Sequence, residues 1–167
     1  MIRRSISTLL GLSRDRSGAA LVEFTLVAPL LVALAFGMLA FGRGLYQYQQ
    51  VVNGVRDAAR YLAHQSNPND ATAKSQAQTL ATKGCLTSCS SEQLRVANWH
   101  PADVSFNITN VPNGNSCSGK PCYNGAAALH EVVVTTTVNY QDLGLLDGLG
   151  LPSIQFHVRH EERNIPD

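Results

Sequence analysis

The sequence predicts an α+β fold: one long N-terminal helix, apolar in its first half and amphipathic in its second, followed by a small exported domain with a mainly antiparallel sheet. Three observations carry this reading. From Ala19 to Gly42 the chain has 24 residues whose only ionisable side chain is Glu23. Beyond that run, Leu45, Tyr48, Val52, Val55, Ala59 and Leu62 follow at steps of three and four, which places them on one helical stripe. After Cys89 the apolar period changes to two, the spacing of strands.

Composition bounds the rest. With 167 residues, the part after Gly42 suffices for one small core and not for two. A net charge of +1 with 15% charged residues leaves no broad basic field for nucleic acid and no acidic tail. The expected organisation is a basic leader over residues 1–18, a transmembrane half-helix over 19–42, an amphipathic half-helix over 43–65, and an exported α+β domain over 66–167.

Taken in order, residues 1–18 are short, basic and Ser/Arg-rich, as a targeting segment is. At about 1.5 Å per residue, the apolar run spans roughly 36 Å, enough to cross a bilayer. Arg3, Arg4, Arg14 and Arg16 precede it, and Arg43 alone follows closely. The positive-inside rule therefore puts the N-terminus in the cytoplasm and the C-terminal part beyond it, across the inner membrane. The helix is expected from Ala19 to about Ala63, with a bend at Pro29, which removes a backbone donor; Gly37, Gly42, Gly44 and Gly54 weaken it further. Gln47, Gln49, Gln50, Asn53, Arg56, Asp57 and Arg60 lie mostly off its stripe. Ser66 to Asp70 reads as a turn in which Asn69 or Asp70 caps a second helix, Ala71 to Thr82, closed by Lys83 and Gly84. Its Ala, Gln and Thr content marks a surface helix. Strands are expected at Glu92–Trp99, Val104–Thr109, His130–Tyr140 and Ile154–Arg159. No helix-sized crossover separates them, so the sheet is antiparallel with one face toward the helix. The Leu/Gly loop from Leu143 to Pro152 is too interrupted by glycine for a second span.

The exported part holds all four cysteines, Cys85, Cys89, Cys117 and Cys122, an even number that suggests two disulfides outside the cytoplasm. Two local bridges and two crossed arrangements are all open. Zinc is the competing use, against which stand the loose spacings within each pair and the lack of a paired-His motif nearby. His157 and His160, three apart on a strand, point to opposite faces and make poor joint ligands; His64, His100 and His130 are scattered. Glu161 and Glu162 beside Arg159 and Arg163 read as a charged terminal strand before an acid/base pair. Trp99 and Tyr123 are core or loop anchors before they are an adhesive surface. No phosphate loop, nucleophile elbow or metalloprotease motif occurs, so no catalytic residue and no cofactor is assigned.

Glu23 needs an explanation, because a carboxylate at a bilayer centre costs on the order of 2.5–3.5 kcal/mol. A secretion signal cut near Ala33-Leu34-Ala35 would place Glu23 and Pro29 inside its apolar core, and the apolar run continues past that cut. A plain anchor tolerates Glu23 near the interface but leaves Gly18 unexplained. The stretch Gly18-Ala19-Ala20-Leu21-Val22-Glu23-Phe24-Thr25-Leu26-Val27-Ala28-Pro29, followed by Phe41-Gly42-Arg43 and Val55-Arg56-Asp57-Ala58-Ala59-Arg60-Tyr61, resembles the TadE-like pseudopilins of tight-adherence (Flp-type) pili. The resemblance implies a pilin-like fold, cleavage between Gly18 and Ala19 by a prepilin peptidase, and residence in the inner membrane or the pilus. It implies as partners other pilin and pseudopilin subunits, the pilus inner-membrane machinery and the lipid bilayer, in support of adhesion or biofilm formation. Glu23, with Phe24 and Pro29, would serve subunit assembly, the carboxylate neutralising the new amine of Ala19 or of a neighbour. Phe24 in place of the Tyr common in major pilins, with a substantial exported domain, points to a minor component. The alternative from another class is a signal-directed or membrane-anchored exported protein, such as a zinc enzyme.

Overall fold

In the computed structural model the described residues are 17–87, 89, 93–114, 117–120, 122–123, 128–142, 144, 150 and 152–163. Leader residues 1–16, Glu92 and most of the Leu143–Leu151 loop lie outside them. The described elements are helix α1 (Ser17–Ala63), helix α2 (Ala71–Lys83), a single 3₁₀ turn (Pro101–Asp103), and strands β1 (Val104–Pro112), β2 (Ala128–Asn139) and β3 (Gln155–Arg163). The chain separates into two compact units, Met1–Phe41 and Gly42–Asp167.

In the first unit α1 runs through Pro29, and none of its apolar side chains is buried: Leu21, Phe24, Leu26, Leu30 and Met38 all stand exposed. A helix apolar on nearly every side and, among the described residues, with none of its apolar side chains buried suits a lipid or protein surround better than water. By length and composition it is able to cross a membrane.

In the second unit α1 buries Gln47, Val51, Val55, Ala58, Ala59 and Leu62. The expected stripe is therefore right from Val55 onward, with Val52 partly buried, and wrong at its start, where Leu45 and Tyr48 are exposed. Gln47, expected off the stripe, takes their place because its amide is fully engaged. Nε2 donates to the Gln141 carbonyl at 3.1 Å and Oε1 accepts from the Gln141 amide at 3.2 Å. A buried amide with its bonds made carries no desolvation penalty of the kind an unpaired one would.

Helix α2 begins where Asp70 accepts from the amides of Thr72 and Ala73 at 3.0 and 3.1 Å, so Asp70 and not Asn69 is the cap. It ends at Gly84, whose φ of +77° is the left-handed conformation glycine adopts without strain. The surface-helix expectation needs correction: Ala73, Ala77 and Ala81 form a buried stripe at steps of four, joined by Thr82. Small side chains carry little hydrophobic signal in a sequence, yet they let a helix approach its neighbours closely.

The sheet has three antiparallel strands in the order β1-β2-β3. The expected strands at Val104, His130 and Ile154 are present, β1 and β3 running further at their C-terminal ends, β2 starting two residues earlier and stopping one short of Tyr140, and β3 starting at Gln155, but Glu92–Trp99 is not a strand: its described residues form turns and bends. They are held instead by a tertiary bond, Arg95 N–H to the Thr82 carbonyl at 2.7 Å, and by a local turn bond, Trp99 N–H to the Val96 carbonyl at 3.2 Å. Val96 and Trp99 are buried, three residues apart, so the segment contributes to the core without the period of two that a strand would show. On the inner sheet face, Val104, Thr136 and Val158 align across the three strands, as do Phe106, Val134 and His160. Val132 and Val138 complete the buried row of β2.

Trp99 is the largest fully buried side chain. Its Nε1–H donates to Thr136 Oγ1 at 3.0 Å, and Thr136 donates on to the Asp103 carbonyl at 2.9 Å. The indole lies against Gly54 of α1, where an added Cβ would sit 2.6 Å from Trp99 Cη2 and would also strike the Ala81 carbonyl of α2. Gly54→Val should therefore destabilise the second unit by about 1–3 kcal/mol through overpacking, read as a lower midpoint in thermal unfolding followed by the near-ultraviolet signal of the single tryptophan. Gly37→Ala, with nothing within 4 Å of the new methyl, should leave that midpoint in place. Equal midpoints for Gly54→Val and the unsubstituted protein would refute the close approach.

Candidate functional site

The N-terminal candidates share the start of α1. Gly18 and Ala19 stand exposed in its first turn, with nothing within 4 Å of where a Gly18 side chain would be. Glu23 and Phe24 are exposed one turn later, and Pro29 is exposed further along. Thr25 Oγ1 donates to the Val22 carbonyl at 2.8 Å, a local bond that spares a hydroxyl from facing an apolar surround unpaired. Gly18, Ala19 and Glu23 are thus exposed among the described residues of this unit.

In the second unit the cysteines pair locally, Cys85 with Cys89 and Cys117 with Cys122, at Cα separations of 6.0 and 5.0 Å. The loop around the second pair is held at both ends. Cys117 and Lys120 exchange backbone hydrogen bonds around Ser118 and Gly119, both at positive φ, 56° and 80°. The buried Asn113 donates to the Tyr123 carbonyl at 2.7 Å and accepts from its amide at 3.3 Å. Asn113 had no sequence signal beyond lying in a turn-rich stretch. The tyrosine it holds is partly exposed, while Trp99 is a core residue.

The histidines lie as a strand dictates. His157 faces outward, its ring nitrogen 3.0 Å from Thr137 Oγ1, while His160 turns inward, half-buried, 3.2 Å from Glu162. Among the described residues no cluster of three His, Cys, Asp or Glu could hold a metal ion. On the outer sheet face Glu131 pairs with Arg163 at 3.6 Å, and Arg159 with Glu161 at 3.3 Å. The carboxyl of Glu131 is pushed above its ordinary value, chiefly by hydrogen bonding with Glu161 and by that residue's negative charge, against the opposing pull of Arg163. Arg95 bridges to Asp57 of α1 at 2.7 Å and its guanidinium lies 3.1 Å from where a Gly84 side chain would begin. Sequence spacing could not reveal that pair, whose members lie 38 positions apart.

The helix that carries these N-terminal groups also carries a family match. Residues 18–60 match the TadE-like protein family. The TadE-like segment coincides with nearly all of α1 and leaves residues 61–167 outside the match. It agrees with the resemblance drawn from Gly18, Glu23, Pro29 and the Ala/Arg-rich half of the helix. The match spans 43 of the 167 residues, all of them in α1. No curated protein and no solved structure matches the chain.

Two outcomes follow from this geometry. Alkylation of the oxidised protein should label none of the four cysteines and, after reduction, all four; peptide mapping should recover the local pairs. A raised Glu131 carboxyl favours its protonated form in the fold, so its contribution is present at acid pH and lost as pH rises through the raised value. Glu131→Gln should therefore flatten a small decline in melting temperature as pH rises through and above 4.5, the ordinary carboxyl value; an unchanged pH profile would contradict it.

Proposed function

We propose that this protein is a minor pilin-like subunit, matured by a prepilin peptidase that cuts between Gly18 and Ala19, and that it serves assembly of a tight-adherence pilus and not catalysis. The carrying observation is the six-residue interval from Gly18 to Glu23 at the uncovered start of a helix whose residues 18–60 match the TadE-like family. Cleavage makes Ala19 an ammonium one turn from Glu23, and in a low-dielectric surround opposite charges at such range neutralise each other. The pairing partner in a filament is the next subunit's amine, which fixes the stagger of packed helices; Phe24 and the apolar side chains beside it supply the packing. Pro29 sets the course of the helix within the bilayer. The basic leader stays on the cytoplasmic side and the disulfide-stapled domain faces the oxidising compartment, a placement that the local cysteine pairs support. Other pilins, pseudopilins and the inner-membrane machinery are its partners, and adhesion is the process served.

Intact-mass measurement of membrane-extracted protein tests the maturation. The expected chain begins at Ala19; one beginning at Phe36 would establish a secretion signal, and one retaining Met1 a plain anchor. In cells, Glu23→Ala should abolish or strongly reduce piliation while Glu23→Asp keeps part of it. Unchanged piliation and leader removal in Glu23→Ala would overturn the role of the carboxylate.

A further inference from the structure

Strands β1 and β2 stay paired out to Pro112 and Ala128, so the connection between them runs over residues 113–127. Hairpin connections commonly take about two to five residues, and one of this length inside a compact unit is usually a binding loop or a linker. The described residues of this one are held as a binding loop is. Asn113, 8% exposed, ties the base through its two bonds to the Tyr123 backbone, and the Cys117–Cys122 bridge closes the part between. Inside the bridge Cys117 and Lys120 pair as a single ladder step around Ser118 and Gly119. Ser118 is the only non-glycine at positive φ among the described residues, a conformation that persists where the surroundings impose it. What these constraints hold is exposed: Ser118, Gly119, Lys120 and Tyr123 all lie open, and a Cβ on Gly119 would meet nothing within 4 Å.

The chemistry of the loop narrows what it fits. Lys120 is the only Asp, Glu, Lys or Arg between Val104 and His130, and nine of the thirteen residues 113–125 are Asn, Gly, Ser or Tyr. Recognition loops use that composition, because Tyr supplies a large ring at low entropic cost while small polar residues supply adaptable donors and acceptors. A single positive charge gives no field to steer a nucleic acid or an acidic protein, and the loop has no apolar patch to seat a partner's core. Stacking on one ring beside neutral donors and acceptors suits a ligand covered in hydroxyl groups. We propose that the tip formed by Ser118, Gly119, Lys120 and Tyr123 binds a neutral polysaccharide, the Tyr123 ring against a sugar face and the Ser118 hydroxyl, the Lys120 ammonium and the turn's backbone groups hydrogen-bonding its hydroxyls. The assignment rests on the proposed service to adhesion, and it names the surface and the ligand class, which that reading does not contain. A loop ordered before contact loses little conformational freedom on binding, so a small surface suffices.

A glycan array carrying neutral gluco-, galacto- and manno-oligosaccharides beside alginate and heparin, probed with the full chain in nanodiscs, tests the site. Binding is expected at one or more of the neutral classes, and Tyr123→Ala should weaken it about tenfold, the fold-change of an aromatic contact. Tyr123→Phe should keep most of it. Cys117→Ser with Cys122→Ser should weaken it as well, while an unchanged near-ultraviolet signal of Trp99 shows the second unit still folded. Tyr46→Ala, at an exposed tyrosine of α1, should leave it unchanged. Binding to alginate or heparin alone would make the ligand an acid and Lys120 its contact, and the assignment falls. No binding to the neutral classes, or equal effects of Tyr123→Ala and Tyr46→Ala, would also overturn it. The assembly reading is scored separately by piliation and the Ala19 terminus, so its failure is distinguishable from failure of the glycan site.

Discussion

The indole of Trp99 fills the notch left by the missing side chain of Gly54, and the second unit is arranged around that contact. One ring face meets α1 closely enough that no Cβ fits between, the same glycine approaches the Ala81 carbonyl of α2, and the ring nitrogen reaches Thr136 in the middle strand. Thr136 passes the bond to the Asp103 carbonyl, which ends the 3₁₀ turn leading into β1. A single side chain therefore sets the spacing of two helices and the sheet. Small domains bury a limited fraction of their surface, so a large aromatic that satisfies its own polar atom contributes disproportionately. Around it the core is made of Val, Ala and Leu, with Arg95 closing the edge between Asp57 and the end of α2.

Helix α1 has to satisfy two different surroundings along one continuous run of hydrogen bonds. From Ala19 to Phe41 its side chains are apolar apart from Glu23 and Thr25, and none of the described ones is buried, which suits lipid or a neighbouring helix. From Gln47 onward one face is buried by the chain itself. Between these regimes lie Gly42, Arg43, Gly44, Leu45 and Tyr46, and there the helix carries its first basic residue and an exposed tyrosine. Gly44 faces the Tyr140 ring at ordinary van der Waals distance, and Tyr48 meets Phe156 edge-on with centroids 5.6 Å apart. The changeover is thus marked by an aromatic cluster and by the Gln47–Gln141 amide pair, not by a break in the helix.

The polar elements divide between the two loops and the outer sheet face. Local disulfides close only a few residues each, so by chain entropy they constrain the unfolded state less than a long-range bridge would; their effect is to fix loop shape. Asn113 does the same for Tyr123 with two hydrogen bonds from one amide. The outer sheet face, with Glu131, Glu161, Arg159 and Arg163 in diagonal neighbourhood, remains solvated and charged, as an antiparallel sheet covered on one side requires.

By itself the sequence determined the elements whose signal is local. The 24-residue apolar run, the Gly84 end of α2 and its start after Asn69 or Asp70, the alternating strands at Val104, His130 and Ile154, their antiparallel order, and the Gly18-to-Glu23 interval within a TadE-like pattern are all written in near neighbours, where backbone propensity and hydrophobic period act. Tertiary structure alone decided which face of α1 is buried at its start, because the amide partner of Gln47 lies 94 residues away. It also made residues 93–99 a turn segment, held by the Arg95 N–H on the Thr82 carbonyl and by burial of Val96 and Trp99 without strand pairing. The burial of α2 and the Trp99 seat on Gly54 escaped for a related reason. Alanine and glycine act there by the side-chain volume they lack, and what fills that space is known only once the distant parts of the chain have met.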